Sequence, residues 1–266
     1  MRLCIIAGGG ELPKDILRHS RSEKKSTSVI CIASEANIAD FKKADNSIEI
    51  PIGKIGKAIK YLQENNISHI VFAGSVERPA LSKISVDLEG AKLLALLLKE
   101  KFLGDDNLLK TTLKYFENKG FTILPASNFS EASGKQKGVI TTSKPNTQEL
   151  EDIEIAKTAF KKIGKLDVGQ ALIVSEKRII AIEGAEGTDN MLRRSGQYIE
   201  GHALLFKAHK PGQDKRVDMP TIGPKTIEIM HNNNISGIVI DQNVIILSQQ
   251  ETIDKANSLD IYIYVI

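Results

Sequence analysis

Between Glu183 and Pro224 the chain collects residue types able to handle a phosphorylated ligand. Glu183, Glu186 and Asp189 stand among Gly184, Gly187 and Thr188, directly after an apolar run. Lys207, Lys210, Gln213, Asp214, Lys215, Arg216 and Asp218 then crowd a segment broken by Pro211 and Pro220. Such a charge run is often no more than a solvated face. Here prolines fix the backbone, glycines at 187 and 212 permit close approach by a ligand, and loops on a rigid scaffold commonly carry sites. A hard cation such as Mg2+ takes one or two protein carboxylates together with phosphate oxygens, and Asp189, Asp214 and Asp218 are the candidates to supply them. Lys210 and Arg216 can neutralise charge developing on phosphoryl oxygens, and a remaining carboxylate can orient or deprotonate a water.

A second candidate lies at the other end of the chain. Gly8-Gly9-Gly10 sits where a first strand meets a first helix, so backbone N–H groups and the helix N-terminus could face a phosphate or a sugar. As a dinucleotide fingerprint it is incomplete, because Pro13 occupies the third glycine position and Glu35 is the nearest acid to the second strand end. A tight turn that needs glycine is the competing explanation. Lys54, after the third strand, and Arg78, after Gly74 and Ser75 at the end of the fourth, are further anion partners. The sequence has no His-x-x-x-His spacing, no Walker sequence and no Gly-x-Ser-x-Gly elbow. His202 and His209 are lone histidines, expected at the surface or in the core rather than on a metal. Cys4 and Cys31 lie inside apolar runs and are expected to be reduced, buried, small hydrophobes.

The elements that must hold these residues follow from periodicity. Strands are expected at residues 3–7, 29–33, 47–50, 69–73 and 121–124, alternating with helices at 12–24, around Ile55 to Leu62, 88–102 and 106–119. That alternation implies parallel pairing with right-handed crossovers, hence a Rossmann-like N-terminal sheet. The run Leu93 to Leu98 is apolar all round, which predicts a buried helix, with an acyl pocket or membrane contact as the other explanation. Residues 125–146 carry Ser, Asn, Gly, Lys and Pro without period and separate an N-terminal domain, 1–140, from a C-terminal domain, 141–266. The second domain is expected to be α/β with a mixed sheet. It starts with a helix through Ile153, Ala156, Phe160 and Ile163, followed by a hairpin turning at Glu176-Lys177. Strands at 203–207, 237–240, 244–247 and 261–265 and helices near 224–233 and 249–257 complete it. The segments around Glu183 to Asp189 and Lys210 to Asp218 are expected as loops.

Composition sets the outer bounds. With 266 residues, 41% hydrophobic and 26% charged, the chain can bury full cores without disulfides and is far from the disordered class. Its +3 net charge comes from 36 basic and 33 acidic residues dispersed along the chain, which argues against nucleic acid as a partner. The apolar N-terminal stretch is too short for a signal peptide, and no run approaches the roughly 20 residues of a membrane span, so a cytoplasmic location is expected.

Several of these segments, taken in order, resemble a known family over nearly the whole chain. They are Ile6 to Pro13, Ala73 to Pro79, Gly104-Asp105-Asp106, Leu166 to Gln170, Glu186 to Asp189 and Lys210 to Pro224. The family is that of the UDP-2,3-diacylglucosamine pyrophosphatases of lipid A biosynthesis, the type unrelated to calcineurin-like phosphoesterases. The resemblance implies cleavage of the pyrophosphate by water attack at the α-phosphorus, with Mg2+, giving UMP and a diacylglucosamine 1-phosphate. It also implies two domains with the lipid held between them. Asp218, with Asp214 close behind, looks like the essential aspartate, with Arg216 beside them. Substrate-binding positions implied are Gly8, Gly9, Gly10, Lys54, Gly74, Ser75, Gln170, Thr188, Lys210, Gln213 and Thr221. The chain departs from the pattern at Ser75, where a basic residue is expected, and at Asn107, where alanine is expected. Peripheral contact with the inner membrane and a homodimer are left open. A nucleotide-dependent oxidoreductase built on the glycine turn, and a UDP-sugar sensor without turnover, are the alternatives.

Overall fold

Strand β1, Arg2–Ala7, is buried at five of its six positions, the pattern of a strand covered on both faces. In the computed structural model, which describes residues 1–77, 84–99, 105–129, 137–164, 168–210, 212–216 and 219–266, β1 lies at the centre of a five-stranded sheet. It is flanked by β2 (Ser26–Ile32) and β4 (His69–Ala73), with β3 (Asn46–Ile50) and β5 (Thr122–Ile123) outside them. All pairs are parallel and the order is 3-2-1-4-5, the doubly wound arrangement expected from the alternating pattern.

Helices α1 (Leu12–Ser22), α2 (Ile55–Glu64), α3 (Leu88–Lys99) and α4 (Asp105–Glu117) belong to the same unit. α2 buries Ala58, Ile59 and Leu62, the face its spacing predicts. Its start and that of α3 share one carboxylate, Asp87, which accepts from the Lys57 and Gly90 N–H groups. Burial raises the Asp87 pKa, but these and the Gly56 N–H outweigh it and the group is held below its ordinary value. α3 corrects the expectation of an all-round buried helix. Leu93 is buried and Leu97 packs on the core, whereas Leu88, Leu96 and Leu98 are exposed. One stripe finds partners, on the neighbouring helices α2 and α4, and the other side of α3 stays exposed.

The second unit is built on a six-stranded mixed sheet in the order β6-β13-β11-β9-β7-β8. Its strands are β6 (Gly138–Val139), β7 (Ala171–Ser175), β8 (Arg178–Ile182), β9 (Leu204–Lys207), β11 (Gly237–Ile240) and β13 (Tyr262–Val265). β9, β11 and β13 run parallel, and β7–β8 is the expected hairpin. Glu176 and Lys177 have φ of 48° and 65°, as a two-residue hairpin turn requires. One face packs on α5 (Thr147–Ile163) through Ile153, Ala156 and Phe160. The other packs on α6 (Gly187–Ser195), α7 (Pro224–His231) and α8 (Gln249–Ser258). Residues expected as a strand at 244–247 pair instead with Thr221–Ile222 (β10) as β12 (Ile245–Ile246), in a separate two-stranded sheet. Short β6 lies inside the stretch expected to be a pure connection.

Contacts divide the chain into Met1–Ser130 with Asp214–Asp218, and Glu131–Gln213 with Met219–Ile266. The five residues Asp214–Asp218 thus belong with the N-terminal unit although they lie far along the sequence.

Candidate functional site

In the N-terminal unit the glycine turn meets the end of β4. The Gly8 N–H donates to Ala73 O, the Gly9 N–H to Ser75 O and the Ser75 N–H to Gly9 O, making an isolated antiparallel bridge between Gly9 and Ser75. A Cβ at Gly8 would lie 2.3 Å from Ser75 O, and one at Gly74 would lie 2.5 Å from Gly9 O. These glycines are required by backbone packing, which is the turn explanation weighed from the sequence. Gly10 differs, with φ of 90° and open space where a Cβ would point, so it leaves room in front of the α1 N-terminus. Lys54 donates to Ser85 Oγ at 2.9 Å. Glu35, the acid an oxidoreductase would need on a ribose, accepts the Glu77 N–H. Arg78 lies outside the described residues.

The Asp214–Asp218 segment adds charge to this unit. Arg216 donates to both oxygens of Asp214, through Nε at 2.9 and 3.2 Å and Nη2 at 2.7 Å, and its Nη1 pairs with Glu117 of α4. The guanidinium holds the Asp214 carboxyl below its ordinary value in spite of partial burial, and the same bonds raise the pKa of Arg216. Two residues proposed for chemistry are therefore brought together, as an ionised pair. Asp218 lies outside the described residues.

In the C-terminal unit the three carboxylates of Glu183 to Asp189 go three ways. Glu183 turns inward and is buried. Glu186 takes Arg194 at 2.6 and 3.0 Å, which holds its carboxyl below the ordinary value. Asp189 pairs with Lys225 at 2.9 Å. The expected loop is replaced from Gly187 onward by α6, whose start the Gly187 φ of 76° makes possible.

Around Glu183 a buried polar group assembles. Lys207 Nζ donates to Thr188 Oγ1 at 2.6 Å, the Thr188 hydroxyl donates to Glu183 Oε1 at 2.6 Å, and the Gln170 N–H donates to Glu183 Oε2 at 2.6 Å. Gln170 Nε2 and the Lys210 N–H both donate to Gln213 Oε1 at 3.4 Å. Gln170, Thr188, Lys210 and Gln213, all proposed from sequence, are gathered in this unit. Thr221 starts β10 and donates to Met219 O. Glu183 and Lys207 stand in the charged cluster that the sequence singles out, but sequence reasoning gave neither a role of its own. Their signal was a charge closing an apolar strand, Ile182-Glu183 and Phe206-Lys207, in a fold that binds ligands beyond strand ends.

The described residues contain no group of three His, Cys, Asp or Glu side chains gathered for a metal. Both oxygens of Asp214 accept from Arg216, Oδ1 from its backbone N–H and Nε and Oδ2 from Nε and Nη2, so a cation at Asp214 would compete with that pair. Asp218, the other carboxylate expected to hold a cation, lies outside the described residues. Asp189 pairs with the exposed Lys225 at the surface. His202 is half-buried against Asp152, with Nε2 at 3.1 Å from Oδ2, away from any cluster of ligands. Cys4 and Cys31 are buried and unpaired. Burial pushes the Cys4 thiol up, and it pushes the Cys31 thiol to about 11, which suits the small-hydrophobe expectation.

The chain is similar to known proteins along nearly its whole length. Residues 2–133 match the model of the LpxI N-terminal domain and residues 136–264 that of the LpxI C-terminal domain. A curated UDP-2,3-diacylglucosamine pyrophosphatase LpxI from Caulobacter vibrioides is 33% identical over 273 residues, covering 98% of this chain and 96% of that protein. Among solved structures, a CobK precorrin-6A reductase aligns at 12% identity with a TM-score of 0.34, covering 100% of this chain and 87% of that one. The biotin carboxylase domain of a thermophilic 2-oxoglutarate carboxylase aligns at 14% identity and 0.28, covering 74% of this chain but 40% of that one. Likenesses this remote say nothing about chemistry here.

Proposed function

The chain belongs to the LpxI family, and on that footing we propose that it hydrolyses the pyrophosphate of UDP-2,3-diacylglucosamine, giving UMP and 2,3-diacylglucosamine 1-phosphate in lipid A biosynthesis. The observation that carries this is the 33% identity, over 98% of the chain, to a pyrophosphatase of that name. The residues suit the chemistry. A pyrophosphate bears several negative charges, and its cleavage places more on the leaving phosphate. Lys210 and Arg216 are basic residues, and each lies in or beside the segment that carries Asp214 and Asp218.

In this proposal water attacks the α-phosphorus. Asp218 orients that water or accepts its proton, while Asp214, kept ionised by Arg216, holds the segment's geometry and contributes an acceptor. Mg2+ bound by Asp214 and Asp218 with phosphate oxygens would supply charge neutralisation at the phosphoryl group. Gln170 and Gln213 supply hydrogen-bonding groups for the polar part of the substrate. Gly10 leaves space at the α1 N-terminus for a phosphate or the nucleoside. Peripheral membrane contact and a homodimer belong to the same proposal, readable by vesicle flotation and by sedimentation. No helix among the described residues is long and apolar enough to cross a membrane.

The test is incubation with UDP-2,3-diacylglucosamine and Mg2+ in 18O water, with mass spectrometry of both products. One label in UMP is expected. Label in the lipid phosphate would move the attack to the β-phosphorus, and release of UDP would eliminate pyrophosphate cleavage. Binding without release of UMP would leave the sensor alternative.

A further inference from the structure

We propose that Lys207 is an anion-binding residue for the substrate pyrophosphate, held in place by Thr188 and Glu183; the identity of that anion rests on the function proposed above. Lys207 is the last residue of β9, at the carboxyl end of the parallel strands β9, β11 and β13. Open α/β sheets bind ligands at that end. In the register of the sheet its row neighbours are Ala171 and Ile240, and Val265 continues the row. All three are buried and apolar. An apolar residue at 207 would complete this row with no charge to desolvate. The chain instead buries an ammonium, 7% exposed, and a carboxylate, Glu183, 8% exposed. Removing such charges from water is unfavourable, and packing alone does not call for it.

The surrounding bonds fix where the ammonium sits. Glu183 reaches Lys207 through the Thr188 hydroxyl, which accepts from Lys207 Nζ and donates to Glu183 Oε1. The carboxylate is itself anchored by the Gln170 N–H, and Gly169 lets it fold close, since a Cβ there would lie 2.5 Å from Glu183 O. The Thr188 hydroxyl, between the two side chains, orients the Lys207 ammonium. Thr188 and Glu183 are thus positioning residues that act through Lys207. Lys210, also buried, follows three residues later and puts a second cation on the same strand exit.

The test compares Lys207→Met, Thr188→Val and Thr188→Ser with the parent, reading Tm, kcat and KM with UDP-2,3-diacylglucosamine, and the affinity for inorganic pyrophosphate by calorimetry. Lys207→Met leaves Glu183 buried without that cation, so it should melt below the parent, and where it folds it should lose pyrophosphate binding and fall at least about 100-fold in kcat/KM. Thr188→Val should lose about tenfold in kcat with little change in KM, and Thr188→Ser should restore it. A folded Lys207→Met within threefold of the parent in kcat/KM and pyrophosphate affinity overturns the proposal. If Lys207→Met does not fold, the Thr188 pair decides, and equal kcat in Thr188→Val and the parent overturns it. A parent that releases no UMP defeats the proposed function and leaves pyrophosphate binding as the judge. Binding lost in Lys207→Met then keeps the anion site, and no binding by the parent removes it.

Discussion

Both units present the carboxyl ends of parallel strands, and they use them in opposite ways. At the end of β1 and β4 the N-terminal unit brings backbone against backbone, with Gly8 and Gly9 locked to Ala73 and Ser75 by three hydrogen bonds. At the end of β9 the C-terminal unit brings charged side chains together under cover, with Glu183, Thr188 and Lys207 in one string. The charged pairs of the N-terminal unit sit nearer water, on helices and on the Asp214–Asp218 segment. A glycine motif at a strand end is therefore weak grounds for a ligand, because close chain packing needs it as much as a phosphate does. A buried charge at a strand end is stronger grounds, because packing alone disfavours it.

Substitutions can break this contrast, and the largest effect is expected where chemistry and stability separate. Asp218→Asn keeps size and shape, so turnover should fall by more than about 100-fold in kcat while the melting temperature stays near the parent's. Near-normal kcat would move the essential role to Asp214. The converse separation is expected at Gly8. Gly8→Ala places a methyl 2.3 Å from a carbonyl oxygen, so the interlocked turns must part, at about 2–4 kcal/mol of stability. Gly10→Ala meets no atom and carries only the strain of its positive φ, about 1–2 kcal/mol. Denaturant titration ranks the two, and equal losses would mean that close packing is not what fixes Gly8. Weakened substrate binding in folded Gly10→Ala would keep that residue as a ligand contact.

The smallest effect concerns acid. Hydrogen bonds from Lys119, Lys92 and Tyr115 hold the Glu89 carboxyl down to about 2, against an ordinary 4.5. A depressed carboxylate stabilises the folded chain above its unfolded pKa, and that contribution is lost as pH falls from about 4.5 toward 2. The Tm difference between the parent and Glu89→Gln should therefore be present at pH 6 and shrink through that window. A difference that is independent of pH would show that Glu89 acts through shape alone.

The sequence by itself determined the elements and the class. Period-two and period-3.6 patterns placed β1, β4, α2 and the β7–β8 hairpin within a residue or two, because burial of one face is a local property of spacing. It also singled out Thr188, Lys210, Gln213, Asp214 and Arg216 by type and by motif. Tertiary structure decided their partners. Gly187 to Ser195 became a helix because Met191 and Leu192 found a core to enter, a gain that a loop-like run of charges and glycines does not display. Leu96 and Leu98 are exposed because only one side of α3 is covered. Glu117 meets Arg216 across 99 positions, and Thr188 meets Lys207 across 19. A side chain's charge is written in its residue type, but whether that charge is spent on a neighbour, buried for a ligand or left to water depends on contacts between residues far apart in the chain. Only the folded sheet brings them within the few ångströms over which hydrogen bonds act.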